Sequence, residues 1–206
     1  MVQFDNAVKR FRSLILDELS ANGITCWIAG GSVRDYFMAV NSTPDFDIFF
    51  PSAIEFKLAV GYLADHMAEL MWESDNGAKY VYNGRTFDLI KKYFASPVDT
   101  INAFDFTVSM FAVDVNRVYH GPTSFIDLAK RQLMINKITY PKSTLNRAFK
   151  YYPKGFRICN GEQKKIIEAL IEDGSVQAKS NTVINVFNNE EDEYTSFDNG
   201  YFAGID

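Results

Sequence analysis

The chain has 206 residues, of which 47% are hydrophobic and 15% aromatic. This length suits one domain or one domain with a small appendage, and the composition excludes long disorder except at an end. The formal net charge of -5 argues against a protein that coats nucleic acid by bulk electrostatics, because neutralising phosphates requires clustered Lys and Arg.

Apolar residues at helical spacing predict an amphipathic helix over the first twenty residues, ending near Asn22-Gly23. Residues 24–29 then predict a buried strand, which Gly30-Gly31 ends. Ser32 stands where an N-cap would begin a short helix that extends to about residue 38.

Extended structure is expected again from Thr43-Pro44 onward. Residues 46–50 predict a strand whose apolar run is broken only by Asp47, as expected of a strand with one functional position. Pro51-Ser52 begins the next predicted helix. Its expected apolar stripe is Ile54, Leu58, Tyr62, Leu63 and Met67.

A β-hairpin is predicted next, with strands over residues 79–82 and 85–91. Asn83-Gly84 joins them, and this dipeptide is the strongest short hairpin signal because both turn positions require positive φ. A short helical piece at residues 98–103 and a strand at residues 106–113 follow. Helices are predicted near residues 124–131, 143–152 and 162–171.

The order of elements predicts an α+β fold, with a short mixed sheet backed by helices and a largely helical last third. Cys26 and Cys159 indicate neither a disulfide framework nor a zinc site. The N-terminus lacks the apolar core of a signal peptide and no stretch approaches about 18 apolar residues, so we expect a cytoplasmic protein without a membrane segment. The sequence does not indicate an oligomeric state.

Three aspartates are candidates for a metal site. Asp45 and Asp47 are two residues apart at the start of a predicted strand, so both project to one face while Phe46 points into the core. Asp88 lies among apolar neighbours on the predicted hairpin, where a lone charge is costly unless it is paired or metal-bound. Each pattern taken alone is also compatible with an ordinary solvated acid.

The segment from Gly30 to Arg34 is a candidate phosphate-binding turn. Glycines allow the backbone to approach a ligand, the following helix N-terminus presents free amides, and Arg34 could pair with phosphate oxygens. An ordinary structural turn is the commoner explanation of a lone Gly-Gly pair.

Taken together, these features resemble a known family. Residues 27–50, WIAGGSVRDYFMAVNSTPDFDIFF, are similar to the head of the CCA-adding enzyme and bacterial poly(A) polymerase family of nucleotidyltransferases. Residues 105–114, DFTVSMFAVD, resemble the family's DFTINALAYD stretch, and Ile126, Asp127 and Leu128 follow where it has a DL pair. Residues 145–156 are similar to its neck-helix pattern LLRAxRFAARxGF.

The resemblance implies a polymerase-beta-like nucleotidyltransferase head followed by a small helical neck. Asp45, Asp47 and Asp88 would hold two Mg²⁺ ions, one lowering the pKa of the attacking hydroxyl and the other stabilising the pyrophosphate leaving group. The nucleotide would be bound by six further residues, Gly30, Gly31, Ser32, Arg34, Asp105 and Arg147. An NTP would be the substrate and an RNA 3′-hydroxyl, such as a tRNA end, the acceptor.

The sequence departs from that family where the family selects the base. Residues 140–144, YPKST, stand in place of the neck motif EDxxR, and Ala103-Phe104 stands where an arginine usually precedes DFT. The expected organisation is a head over residues 1–122, a neck-like helical region over 123–187 and an acidic tail over 188–206. Residues 137–165 carry eight basic residues and one acid, so they suit an RNA acceptor, although a solvated helical face is the commoner explanation.

Two other functions remain open at this point. One is transfer of the nucleotide to a protein or a small molecule. The other is a nucleotide- or RNA-binding module that has lost the reaction, against which the three retained aspartates argue.

Overall fold

A computed structural model describes residues 2–40 and 45–175 of the chain. Outside the described residues lie Thr43-Pro44, where extended structure is predicted to resume, residues 176–187 of the predicted neck-like region and the predicted acidic tail.

One mixed seven-stranded sheet organises the described residues, and the α+β prediction is confirmed. The strands are β1 (Trp27–Ala29), β2 (Phe46–Phe49), β3 (Glu69–Ser74), β4 (Gly77–Tyr82), β5 (Arg85–Ile90), β6 (Phe111–Val113) and β7 (Val118–His120). Their order across the sheet is β3-β4-β5-β2-β1-β6-β7. Only the β2–β5 pair is parallel, and the other pairs are antiparallel.

Helices precede, connect and follow these strands. They are α1 (Val2–Phe11), α2 (Asp17–Ala21), α3 (Gly31–Phe37), α4 (Ala53–Asp65), α5 (Pro97–Asn102), α6 (Ser124–Ala129), α7 (Pro141–Tyr151) and α8 (Asn160–Glu172). A π-helical turn at Arg12–Leu16 joins α1 to α2, so the predicted N-terminal helix is continuous in direction but not regular. Among the described residues, no helix combines the length and apolar character that a membrane crossing requires.

The core lies between the sheet and the helices around it, and aromatic side chains fill much of it. Phe11, Phe46 and Phe87 are buried there in edge-to-face and tilted contacts. Burial of such rings is the largest favourable contribution to a fold of this size. The aspartates of interest project from strands that this packing holds in place.

The apolar stripe predicted for α4 is wrong in part. Ile54 is 70% exposed and Leu58 49% exposed, whereas Phe56, Ala59 and Leu63 are the buried positions. Phe56 packs edge-to-face against Phe50, directly after β2. This contact fixes which face of the helix meets the core, and the sequence spacing alone did not indicate it.

The strand predicted over residues 106–113 is also only partly present. Thr107–Ser109 forms a 3-10 turn, and β6 begins at Phe111. The Thr107 hydroxyl donates to Asp127 at 2.7 Å, and the Thr107 amide donates to the Met134 carbonyl at 2.9 Å. These tertiary bonds outweigh the β propensity of the segment.

Candidate active site

The parallel pairing of β2 with β5 places Asp47 beside Asp88. The two residues are register partners, as are Phe46 with Phe87 and Ile48 with Leu89. Since side chains alternate along a strand, the buried apolar residues face the core and both aspartates project from the opposite face of the sheet. Asp45 directly precedes β2 and is exposed.

Lys79 joins two of the three aspartates. It lies on β4 directly opposite Asp88, and its Nζ donates to Asp45 Oδ2 at 2.7 Å and lies 3.4 Å from Asp88 Oδ2. The two carboxylate oxygens are therefore no more than about 6 Å apart, the sum of those distances. Asp45, Asp47 and Asp88, called the aspartate cluster below, converge on one face of the sheet.

The negative charge of the aspartate cluster is incompletely compensated. Burial, and then the neighbouring charges of Asp88 and Asp45, raise the pKa of Asp47 to about 7, against the opposing effect of Lys79. The pKa of Asp88 is also raised above its usual value, because the effect of burial outweighs the opposing effect of the Lys79 ammonium. Such shifts are typical of sites where charge is gathered for a ligand or a reaction.

One oxygen of the aspartate cluster has no partner. Asp88 Oδ1 is buried and accepts no hydrogen bond from any described residue. A buried carboxylate oxygen without a partner is costly in free energy, and carboxylate oxygens are the ligands that Mg²⁺ prefers. The described residues contain no group of three His, Cys, Asp or Glu side chains already arranged around a metal position. A lysine ammonium lies between two of the carboxylates instead.

The Gly30-Gly31 turn borders the aspartate cluster. Gly30 has φ 87° and ψ −135°, a conformation that side chains other than that of glycine rarely adopt. A Cβ placed on Gly30 would lie 3.8 Å from Asp47 Oδ2 and 3.7 Å from the Phe104 ring. The turn therefore brings bare backbone against the carboxylate of Asp47.

Ser32 does not cap α3, so the prediction of an N-cap at this position is wrong. The helix begins at Gly31 with Gly30 in the cap position, because the positive φ of Gly30 turns the chain two residues earlier than expected. Ser32 Oγ is buried and has no hydrogen-bond partner among the described residues. It is the second orphaned polar atom of this region, after Asp88 Oδ1.

Arg34 is turned inward. Its side chain is 3% exposed, its Nε and Nη2 contact Asp35 Oδ1, and its Nη1 donates to the Tyr151 hydroxyl at 2.7 Å. The guanidinium carbon also lies 5.0 Å from the centre of the Tyr151 ring. In this arrangement Arg34 ties the Gly30-Gly31 turn to α7, and its donors are directed to protein groups.

Asp105 and Arg147 form an ion pair. Asp105 is 7% exposed and Arg147 54% exposed. Phe104, which precedes Asp105, packs its ring against Gly30. The structure thus brings together Asp105 and Arg147, both of which are expected to bind nucleotide. Asp105 directly follows Phe104, whose ring lies next to the glycine turn.

The sequence reasoning missed Lys79 and Tyr151. A signal for Lys79 existed, because a two-residue Asn83-Gly84 turn pairs Tyr82 with Arg85 and so places Lys79 opposite Asp88. The turn does have positive φ at both positions, 50° and 71°. Tyr151 carries no comparable signal, since its hydroxyl meets Arg34 only through tertiary packing.

Comparisons with known proteins match more than half of the chain. A family model described as Gabija anti-defense 2 family protein matches residues 3–131, more than half of the chain. The chain belongs to the Gabija anti-defense 2 family. No curated protein matches the chain.

Solved structures similar to the chain include CCA-adding and tRNA-processing enzymes. A Thermotoga maritima CCA-adding enzyme complexed with tRNA has a TM-score of 0.59 at 17% identity, covering 81% of this chain and 42% of the enzyme. A CCA-adding enzyme with ATP has a TM-score of 0.61 at 16% identity, with coverages of 83% and 44%. A tRNA-processing enzyme with CTP has a TM-score of 0.57 at 16% identity, with coverages of 76% and 46%.

At this identity the likeness establishes the fold of the chain, which is similar to that of these enzymes. The chain spans less than half of the length of these enzymes. The resemblance seen in the sequence and the family model name different families. The solved structures support the fold that the resemblance implies.

Proposed function

We propose that the protein is a metal-dependent nucleotidyltransferase that transfers a nucleoside monophosphate from an NTP to a hydroxyl acceptor and releases pyrophosphate. The observation that carries this proposal is the pairing of Asp47 with Asp88, whose Oδ1 is buried without a partner, beside the backbone of Gly30. A fold without a reaction has no physical need for three carboxylates in one partly desolvated place.

The aspartate cluster fits a hard divalent cation. Asp45, Asp47 and Asp88 would hold Mg²⁺, because they offer carboxylate oxygens with uncompensated charge and one oxygen without a hydrogen bond. When bound, Mg²⁺ would neutralise charge on the transferring phosphate and increase the acidity of the attacking hydroxyl.

The glycine turn suits the triphosphate. Gly30 brings backbone without a side chain next to Asp47, and the buried Ser32 hydroxyl lacks a partner that a phosphate oxygen could supply. Arg34 would support the turn by holding it against α7 through Tyr151, and would reach a phosphate only by exchanging a present partner.

Asp105 and Arg147 are proposed to contact the base or the sugar. Their ion pair fixes the guanidinium, and the half-exposed Arg147 retains donors for a nucleotide. The EDxxR motif of the CCA-adding family is replaced by residues 140–144, so this pair would have to provide base recognition in a different way. The proposal also includes the domain organisation: a head that ends at residue 122, a neck-like region that ends at residue 187, and a tail after it.

An RNA 3′-hydroxyl is the first candidate acceptor. The fold likeness includes an enzyme solved with tRNA, and the basic residues of the 137–165 segment would neutralise acceptor phosphates. A protein acceptor is the second candidate, favoured by a specific observation: the family description names action against a defence system, whose components would then be the substrates. A nucleotide- or RNA-binding module without transfer is the remaining alternative.

Labelled substrate separates these functions. Each of the four NTPs, labelled at the α-phosphate, would be incubated with Mg²⁺ and either total RNA or a protein extract containing the defence components. Label at RNA 3′ ends supports the first acceptor, and label in a protein band supports the second. Transfer must be lost in Asp47→Asn and Asp88→Asn and retained in Asp65→Asn, a matched exposed aspartate at the end of α4.

One outcome would overturn the proposal. NTP binding without transfer to any acceptor, and without weakening by Asp47→Asn or Asp88→Asn, would identify a metal-independent binding module.

A further inference from the structure

Lys79 is the side chain that the proposed reaction leaves unexplained. It projects from β4 into the aspartate cluster, and it is only 22% exposed. Its hydrogen bond to Asp45 is the main cause that raises the pKa of its ammonium, so the positive charge is held firmly. The position is fixed by the antiparallel register of β4 and β5, which sets Lys79 directly opposite Asp88.

The ammonium uses the same oxygens that a divalent cation would need. Its Nζ lies 2.7 Å from Asp45 Oδ2 and 3.4 Å from Asp88 Oδ2, between the two carboxylates. Two cations close together in a partly desolvated site repel each other strongly, because the effective dielectric constant there is far below that of water. A divalent ion bound by Asp45 and Asp88 is therefore incompatible with Lys79 in its present position.

We propose that Lys79 is an internal counter-cation of the aspartate cluster, which a divalent ion must displace from Asp45 and Asp88 before it can bind there. The inference rests on the proposed function, since it takes the aspartate cluster as the metal site. It adds a residue that sets the affinity of the site for the metal and stabilises the metal-free protein.

Calorimetric titration of Mn²⁺ into the chelator-stripped full chain tests the competition directly. Lys79→Met and Lys79→Gln are expected to bind Mn²⁺ at least about tenfold more tightly than the wild type, because a unit charge a few ångströms away is removed. Lys79→Arg keeps the charge and is expected to stay near the wild-type affinity.

Lys91→Met is the matched control. Lys91 follows β5, is 23% exposed and pairs with Glu73 at 2.8 Å, outside the aspartate cluster. Its substitution removes a comparable ion pair and the same net charge, so Mn²⁺ affinity should change by less than about twofold.

Thermal unfolding gives a second readout that does not depend on activity. In chelator, Lys79→Met should unfold several degrees below the wild type, because three carboxylates lose their counter-charge. Saturating Mn²⁺ should then raise its midpoint more than it raises that of the wild type. If Lys79→Met does not fold in chelator, Lys79→Gln, which keeps a hydrogen-bond donor, provides the comparison.

The outcomes separate the inference from the proposed function. Mn²⁺ affinities of Lys79→Met and Lys79→Gln equal to or below the wild-type value would overturn the inference, provided that Asp47→Asn abolishes binding. Mn²⁺ binding that Asp47→Asn leaves unchanged would show that the aspartate cluster is not the metal site, and would overturn the proposed function as well.

Discussion

The guanidinium of Arg34 donates to the hydroxyl of Tyr151, a residue 117 positions further along the chain, at 2.7 Å. Tyr151 also shares a hydrogen bond with Ser109, two residues before β6 begins. One tyrosine hydroxyl on α7 therefore connects the glycine turn to the stretch of residues 105–114. The end of α7 is coupled to the candidate active site through this hydroxyl.

Tyr151→Phe is expected to destabilise the protein by about 1–2 kcal/mol, because the buried Arg34 and the half-buried Ser109 both lose a hydrogen-bond partner while the ring is retained. Urea unfolding followed by far-UV circular dichroism measures this. Tyr152→Phe is the control, since Tyr152 is 49% exposed and its ring packs against Arg157. Equal stabilities for the two variants would contradict the coupling.

The main architecture could be predicted because its signals are local. The Asn83-Gly84 turn fixes the hairpin, and the apolar residues around Asp47 and Asp88 leave only one face for the acids. The closeness of those two acids follows from the parallel pairing of β2 and β5, which the sequence suggested only through resemblance to a family. The roles assigned to the individual site residues remain predictions.

Other features could not be predicted because their causes are tertiary. All six residues of Glu69–Ser74 are exposed at the sheet edge, so β3 lacks the alternation of buried and exposed positions that indicates a strand. The inward orientation of Arg34 depends on Tyr151, and no local pattern links them. Similarly, the N-cap of α3 at Gly30 and not at Ser32 depends on the backbone conformation of Gly30.

Gly30 and Gly31 should respond differently to alanine. Gly30→Ala places a Cβ on a backbone with φ 87° and ψ −135°, and is expected to cost about 1–3 kcal/mol of stability even though the nearest atoms are not in clash. Gly31 is helical, and a Cβ there would lie 3.5 Å from Arg34, an ordinary contact. Gly31→Ala should therefore be neutral or stabilising by up to about 1 kcal/mol.

Chemical denaturation of both variants checks this expectation. Binding of an NTP in the presence of Mg²⁺ adds a functional comparison, since a Cβ on Gly30 would also stand 3.8 Å from the Asp47 carboxylate. A Gly30→Ala protein as stable as Gly31→Ala would contradict the conformational argument.

The pH dependence of stability should report the environment of Asp47. Burial and the charges of Asp88 and Asp45 raise its pKa from 3.8 to about 7 in the folded protein, so the folded state holds a proton that the unfolded state has released between those values. The contribution of Asp47 to stability should fall as pH rises from about 4 to about 7, and should be constant above that range.

Asp47→Asn removes this penalty. In chelator the variant is expected to be more stable than the wild type at pH 8, by on the order of a few kcal/mol, and the gain should disappear near pH 4. Unfolding free energies measured at several pH values for both proteins check the sign. A gain that is the same at pH 4 and pH 8 would show that folding does not raise the pKa of Asp47.

Arg147 combines a structural and a proposed functional role, which two measurements can separate. Arg147→Ala leaves the buried Asp105 carboxylate without its ion-pair partner, and a stability loss of about 1–3 kcal/mol is expected because Asp105 remains fixed by its backbone. The Asp105 carbonyl accepts from the amides of Asn136 at 2.7 Å and Lys137 at 3.2 Å, so the carboxylate cannot easily turn to water.

Lys150→Ala, at an exposed position of α7, is the control and should change stability by less than about 0.5 kcal/mol. If Arg147 also contacts the nucleotide, its loss should weaken NTP binding and reduce discrimination among the four bases, whereas a purely structural role would lower stability and leave the order of NTP affinities unchanged.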